Sequence, residues 1–137
     1  MVVDGECLCG YLRWTAVVDE ASTETCNCSD CQVLSGSAFR VNVPVVNGEF
    51  RFLTGTPSMY VKTAASGNRR ELAFCPTCGT SVFSRPEGGR DGYFGLRVGS
   101  LRQKSQLVPQ MQTWRRSALE WIDSIDSIPK YDGNDPV

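Results

Sequence analysis

The sequence predicts a mainly β fold built from small antiparallel sheets, with zinc-binding cysteine knuckles and little helix. Three observations predict it: short segments of alternating apolar residues, Gly, Asn, Pro and Ser punctuation between them, and cysteines grouped at knuckle spacing. Leu12 to Val18 (LRWTAVV) alternates as a strand. Phe39 to Val46 alternates too, and its Pro44 marks an edge or a bulge. Asn47-Gly48 is a strong hairpin signal and should join that strand to Glu49 to Leu53. Ser58 to Thr63 and Arg70 to Phe74 flank a turn at Ser66-Gly67-Asn68. Thr80 to Arg85 and Gly92 to Val98 flank a glycine-rich tip at Glu87 to Arg90. Cys28 to Ser35 reads as a short helix, with Ser29 as N-cap and Gly36 as stop. Ser117 to Ile125 is the best remaining helical stretch, with Leu119, Ile122 and Ile125 on one face and Pro129 beyond. Phe39, Phe74 and Phe83 are expected in the core, and Trp114 and Trp121 as packing anchors.

A chain of 137 residues, 41% hydrophobic and 21% charged, suits one globular domain. The domain is expected to span 1–137, with its core over about 3–132 and a flexible tail over 132–137. A net charge of −1 leaves no electrostatic footprint for nucleic acid. No window is long and apolar enough to suggest a membrane span. The N-terminal run MVVDGECLCG lacks the basic and apolar regions of a secretory signal, so a cytoplasmic location is expected. In that reducing compartment the seven cysteines should not form a disulfide framework. Their odd number also forbids complete pairing within the chain. Histidine is absent, so a transition-metal site must be built from thiolates.

The cysteines fall into three clusters: Cys7-Leu-Cys9, Cys26-Asn-Cys28-Ser-Asp-Cys31 and Cys75-Pro-Thr-Cys78-Gly-Thr. The last is a typical zinc knuckle, whose backbone N–H groups point at the sulfurs and whose Gly79 permits the turn. A knuckle supplies only half of a tetrahedral site. Seven thiols suit one closed site of four and one open site of three, the open kind keeping a position for water or substrate. Spacing alone leaves two partitions open. Cys7 and Cys9 can join Cys75 and Cys78, leaving Cys26, Cys28 and Cys31 together. Alternatively, Cys28 and Cys31 can join Cys75 and Cys78.

These motifs resemble those of the glutathione-dependent formaldehyde-activating enzyme family, which includes centromere protein V. The residues that carry the likeness are Gly5-Glu-Cys7-Leu-Cys9-Gly10, Cys26-Asn-Cys28-Ser-Asp-Cys31 with Ser35-Gly36-Ser37, and Phe74-Cys75-Pro-Thr-Cys78-Gly79-Thr80. A late Trp121-Ile122 and Ile128-Pro129 fit the family's usual ending. The resemblance implies an Mss4-like, tent-shaped β fold. It implies a structural zinc on Cys7, Cys9, Cys75 and Cys78, and a catalytic zinc on Cys26, Cys28 and Cys31, the second one labile. Two positions depart from the common pattern: Asn27 stands where many members have His, and Gln32 where many have a basic residue.

Three thiolates make a weak Lewis acid, better suited to holding a substrate thiol as thiolate than to making hydroxide. With that chemistry, the resemblance implies a carbon–sulfur lyase reaction on a small thiol or its aldehyde adduct, such as S-hydroxymethylglutathione. Asn27, Gln32, Ser37 and Arg40 are the expected substrate contacts. Carboxylates of a glutathione-like partner suit Arg40, Arg69, Arg97 or Arg115. Tyr60, Tyr93 or solvent is expected to handle the proton. The alternatives are a non-catalytic zinc-stabilised binding module and, more weakly, a redox-sensing thiol protein. A homodimer is compatible with all of these.

Overall fold

The structure is a computed structural model that describes residues 1–134. The tail expected over 132–137 therefore falls in part outside the described residues. Among the described residues there are nine strands and one α-helix, with 3-10 turns between them. They are β1 (Val2–Glu6), β2 (Arg13–Val18), β3 (Glu24–Cys26), α1 (Ser29–Ser35), β4 (Arg40–Thr54), β5 (Ser58–Thr63), β6 (Arg69–Phe74), β7 (Ser81–Pro86), β8 (Gly95–Arg97) and β9 (Met111–Thr113). The strand order is β1-β2-β4-β8-β7-β6-β5, with β3 pairing β4 and β9. All pairings are antiparallel except β3 with β9.

The Asn47-Gly48 hairpin does not form. Both halves of the expected hairpin belong to β4, and both run antiparallel to β2. Asn47 and Gly48 do adopt the left-handed backbone that Asn-Gly favours, at φ 51° and 69°. They spend it on a bulge, marked by the register shift between Ala16 and Val18. The bulge lets one long strand serve two sheets. Val45 to Thr54 pairs with β2, while Arg40 to Pro44 pairs with β3 and β8.

Alternation along the strands then gives the larger sheet two chemically distinct faces. One face carries Val43, Leu96, Phe83 and Ala73, which pair in sequence across β4, β8, β7 and β6. It packs on Trp14, Val3, Ala16 and Val18 from β1 and β2 to form the core. Phe83 meets Phe50 and Phe94 edge-on, with ring centroids 5.1 and 4.8 Å apart. The opposite face is polar and floors the site described below.

Trp14 sets one tight point in this core. It is fully buried and pairs with Gly5 across β1 and β2. A Cβ at Gly5 would lie 2.5 Å from the indole Nε1. Gly5→Ala is therefore expected to cost about 2 kcal/mol by overpacking. It should lower the thermal midpoint by roughly 5–8 °C, and an unchanged midpoint would show that the indole yields without strain.

Several local expectations are corrected. Helix α1 is capped by Cys28 rather than by Ser29, which is its first helical residue, and it ends at left-handed Gly36 as expected. The late helix is a 3-10 turn over Glu120–Ser127. Its apolar residues recur every three positions, which is the 3-10 period rather than 3.6. The Ser124 and Ser127 hydroxyls also bond the carbonyls three residues back, at 3.2 and 2.6 Å, competing with an α-helical ladder. Trp114 and Trp121 are about half exposed and anchor no core. Of the three expected core phenylalanines, only Phe83 is fully buried.

Candidate metal centre

The seven sulfurs gather in two groups. Cys7, Cys9, Cys75 and Cys78 lie with all Sγ atoms within 4.8 Å of one another, and Cys26, Cys28 and Cys31 do the same. In the first group Cys9 Sγ lies 3.6 Å from Cys7 Sγ and 3.8 Å from Cys75 Sγ. The edge of a tetrahedron of sulfurs around zinc is about 3.8 Å, given Zn–S near 2.3 Å. The donor set and its spacing therefore fit zinc.

Local structure explains this grouping. Cys7 and Cys9 sit in the turn between β1 and β2, and Cys75 and Cys78 in the turn between β6 and β7. Gly10 and Gly79, at φ 83° and 77°, close the two turns, and their amides bond Cys7 O and Cys75 O. The Leu12 amide donates to Cys7 Sγ at 3.1 Å. Thr80 ties the turns together: its Oγ1 lies 3.1 Å from Cys78 Sγ and accepts from the Leu8 amide at 3.0 Å. The Thr80 hydroxyl, first, and then backbone donors hold the Cys78 thiol down at about 5.

The three-cysteine group is assembled at the end of β3 and the start of α1. Cys26 ends the strand. Cys28 caps the helix, its Sγ accepting from the Cys31 amide at 3.3 Å. Cys31 lies in the first turn. Hydrogen bonding from Cys31 holds the Cys26 thiol down at about 5. The same contact, with burial, pushes the Cys31 thiol above its ordinary range. The three sulfurs line a cleft of about 500 Å³, within the usual size of a small-molecule site.

The floor of that cleft is the polar face of the larger sheet. Across the strands run Cys26 with Arg40, then Glu24 with Asn42 and Arg97, then Ser84, Leu72 and Arg70, and finally Lys62. Arg97 is buried and donates to Asn42 Oδ1 at 2.5 Å. Burial, and then neighbouring Arg40, push the Arg97 guanidinium down to about 9. Arg70 donates to Ser84 Oγ at 3.1 Å and to Tyr93 O at 2.9 Å. Tyr93 lies over the floor and donates to Glu24 Oε1 at 2.6 Å. Burial, and then this acceptor, push its phenol above the ordinary range. Gly95 makes room for Tyr93, since a Cβ there would lie 2.8 Å from the Tyr93 ring.

The expected substrate contacts are placed differently from one another. Asn27 is fully buried and does not line the cleft; its side chain donates to Thr113 O at 2.9 Å. Gln32 donates to Asn27 O and Ser117 O, both at 2.9 Å, tying α1 to the segment after β9. Ser37 is exposed beyond the helix and outside the cleft lining. Arg40 is buried behind the sulfurs, with Nη1 donating to Ser81 Oγ at 3.0 Å. Of the other arginines expected at carboxylates, Arg97 lines the cleft, whereas Arg69 pairs with Glu87 and Arg115 with Asp123. Tyr93 lines it and Tyr60 does not. Glu24, Lys62 and Arg70 were missed. The hairpin turn at Ser66-Gly67-Asn68 carried the signal for the last two, because its register puts Lys62 opposite Arg70 on one face.

Fold and site together define a β domain with cysteine knuckles, in which one group of four sulfurs and one group of three could each hold a metal ion, the group of three beside a cleft lined by charged residues of both signs. A family model described as glutathione-dependent formaldehyde-activating enzyme matches residues 2–117, and the chain belongs to that family. An uncharacterized lyase of Schizosaccharomyces pombe is 27% identical over 95 residues. That alignment covers 66% of this chain and 63% of the relative, so the chain spans less than two thirds of that protein. The crystal structure of a Rhodobacter sphaeroides protein shares the fold, with a TM-score of 0.61 at 18% identity, covering 80% of this chain and 99% of the other. No helix among the described residues is long and apolar enough to cross a membrane.

Proposed function

We propose that this protein is a zinc-dependent carbon–sulfur lyase that acts on a small thiol or its aldehyde adduct, with an S-hydroxymethylglutathione-like compound as the model substrate. The observation that carries the reading is the position of Cys26, Cys28 and Cys31, whose three converging sulfurs open into a cleft that Arg70, Arg97 and Tyr93 also line. Cys7, Cys9, Cys75 and Cys78 take the structural zinc in this reading. Zinc at the three-cysteine group would supply a fourth position that favours a soft sulfur ligand.

The chain's own residues account for the remaining requirements. Arg70, Arg97 and Lys62 offer positive charge to a substrate carboxylate. Lys62 is shared with Asp30 at 2.7 Å, so the two arginines are the stronger candidates. In the adduct-forming direction the substrate sulfur bonds to the aldehyde carbon, the C=O π pair moves to oxygen, and the thiol proton ends on that oxygen. Tyr93 holds a proton in the cleft, and Glu24 accepts its hydrogen bond. The pair is therefore placed to pass a proton to the new hydroxyl. A cytoplasmic location supplies the thiol pool that such a reaction requires.

The test is consumption of glutathione and formaldehyde by the zinc-loaded protein, followed beside metal analysis. Two zinc ions per chain, one of them removed readily by chelator, and adduct formation faster than in buffer are expected. A single inert zinc with no acceleration would sink the reading.

A further inference from the structure

Arg40 and Arg97 raise a physical problem that the cleft chemistry leaves unsolved. Both are at least nine-tenths buried, at 6% and 7% exposure. Neither forms an ion pair among the described residues. Arg40 Nε, Arg40 Nη2 and Arg97 Nε are buried without a hydrogen-bond partner. A buried guanidinium without a counter-charge is strongly destabilising. The strand register shows where that counter-charge lies. Arg40 is directly opposite Cys26, and Arg97 is opposite Asn42, two residues further along β4 on the same face. The sulfurs of Cys26, Cys28 and Cys31 are grouped beside that position, and as metal-bound thiolates they would be the counter-charge nearest in the fold to Arg40.

We propose that Arg40 and Arg97 form a built-in counter-ion pair for the three-cysteine centre, making it selective for an anionic fourth ligand. The inference rests on the open-site reading above. Three cysteine thiolates and one substrate thiolate around a divalent ion would leave two negative charges in the cleft, beside the sheet face that carries both buried arginines. A neutral fourth ligand leaves one negative charge and an uncompensated arginine. Arg97 lines the cleft and also touches what enters it. Arg40 does not line the cleft, so it acts on the ligand only through the thiolates. It is a positioning charge rather than a substrate contact.

The test uses the full-length protein loaded with Co(II), whose thiolate-to-metal absorption reports the ligands without any turnover. At fixed pH, wild type, Arg40→Gln and Arg40→Lys are titrated with 2-mercaptoethanol, which binds as thiolate and releases its proton to solvent, and with neutral imidazole. Arg40→Gln should weaken 2-mercaptoethanol by about tenfold or more and change imidazole by less than about twofold. Arg40→Lys should restore most of the thiol affinity. Equal losses for both probes, or no loss for either, overturn the inference. A wild-type spectrum that ignores 2-mercaptoethanol overturns the open-site reading and the inference with it. A wild-type response that Arg40→Gln keeps in full overturns the inference alone. If Arg40→Gln does not fold, Arg97→Gln carries the same comparison, with imidazole revealing any loss of general access to the cleft.

Discussion

Cys75→Ser is expected to leave the chain unfolded at 25 °C, and removing metal from the wild type should do the same. The four-sulfur group joins the β1–β2 turn to the β6–β7 turn, across 66 residues between Cys9 and Cys75. Cys75 itself is 1% exposed and belongs to the core cluster beside Cys7. Zinc on four thiolates contributes on the order of 10–16 kcal/mol in small peptides. The net stability of a domain is about 5–15 kcal/mol. Losing one ligand removes much of the metal term and leaves a serine hydroxyl in an apolar setting, which adds to the cost. Circular dichroism and a denaturant titration, each run with and without chelator, read the outcome. A Cys75→Ser protein that keeps a cooperative transition near the wild-type midpoint would show that the sheets hold without the clamp.

How much of this was legible in the sequence depends on the range of the interaction involved. Local chemistry was readable. Gly36 stops α1, and Ser66-Gly67-Asn68 turns β5 into β6, because backbone sterics act over a few residues. The cysteine spacing suggested clustered sulfurs, and the family likeness implied the grouping into four and three in which the fold gathers them. Long-range pairing was not readable. Asn47-Gly48 has the correct local conformation for a hairpin, yet β2 offers a continuous partner to the residues on both sides of it, so tertiary pairing turns it into a bulge. Strands β3 and β9 are three residues each, too short to show a period, and they exist because β3 pairs with β4 and β9 pairs with β3. Glu24 was invisible for that reason. The cleft floor needed the register of six strands before Lys62, Arg70, Arg97 and Glu24 could be placed on one face. Asn27 and Gln32 looked like substrate contacts because they neighbour the cysteines. Their amides instead bond the backbone of Thr113 and Ser117 from the far end of the chain. Proximity in sequence to a ligand residue says little about which way a side chain turns.

Cys28→Ser separates the two metal groups most cleanly. The substitution removes one of only three sulfurs at the open site and touches none of the four at the closed one. It should also spare the local fold. Cys28 caps α1 by accepting the Cys31 amide on its Sγ, and serine is among the best residues for that position. Cys28 is half-buried at the edge of the cleft rather than packed in the core, so replacing sulfur by oxygen leaves little void. The expected protein is folded, with a midpoint within a few degrees of wild type, about half the bound metal, and lyase activity down by about 100-fold or more. Thermal melting, metal analysis and the adduct-forming assay on one preparation measure all three. The contrast with Cys75→Ser is the informative part, because both variants lose one thiolate. If Cys28→Ser unfolds as Cys75→Ser does, the open group is a second structural clamp. If it keeps full activity, the reaction occurs elsewhere. Only a folded, half-loaded and inactive protein assigns stability to the four sulfurs and chemistry to the three.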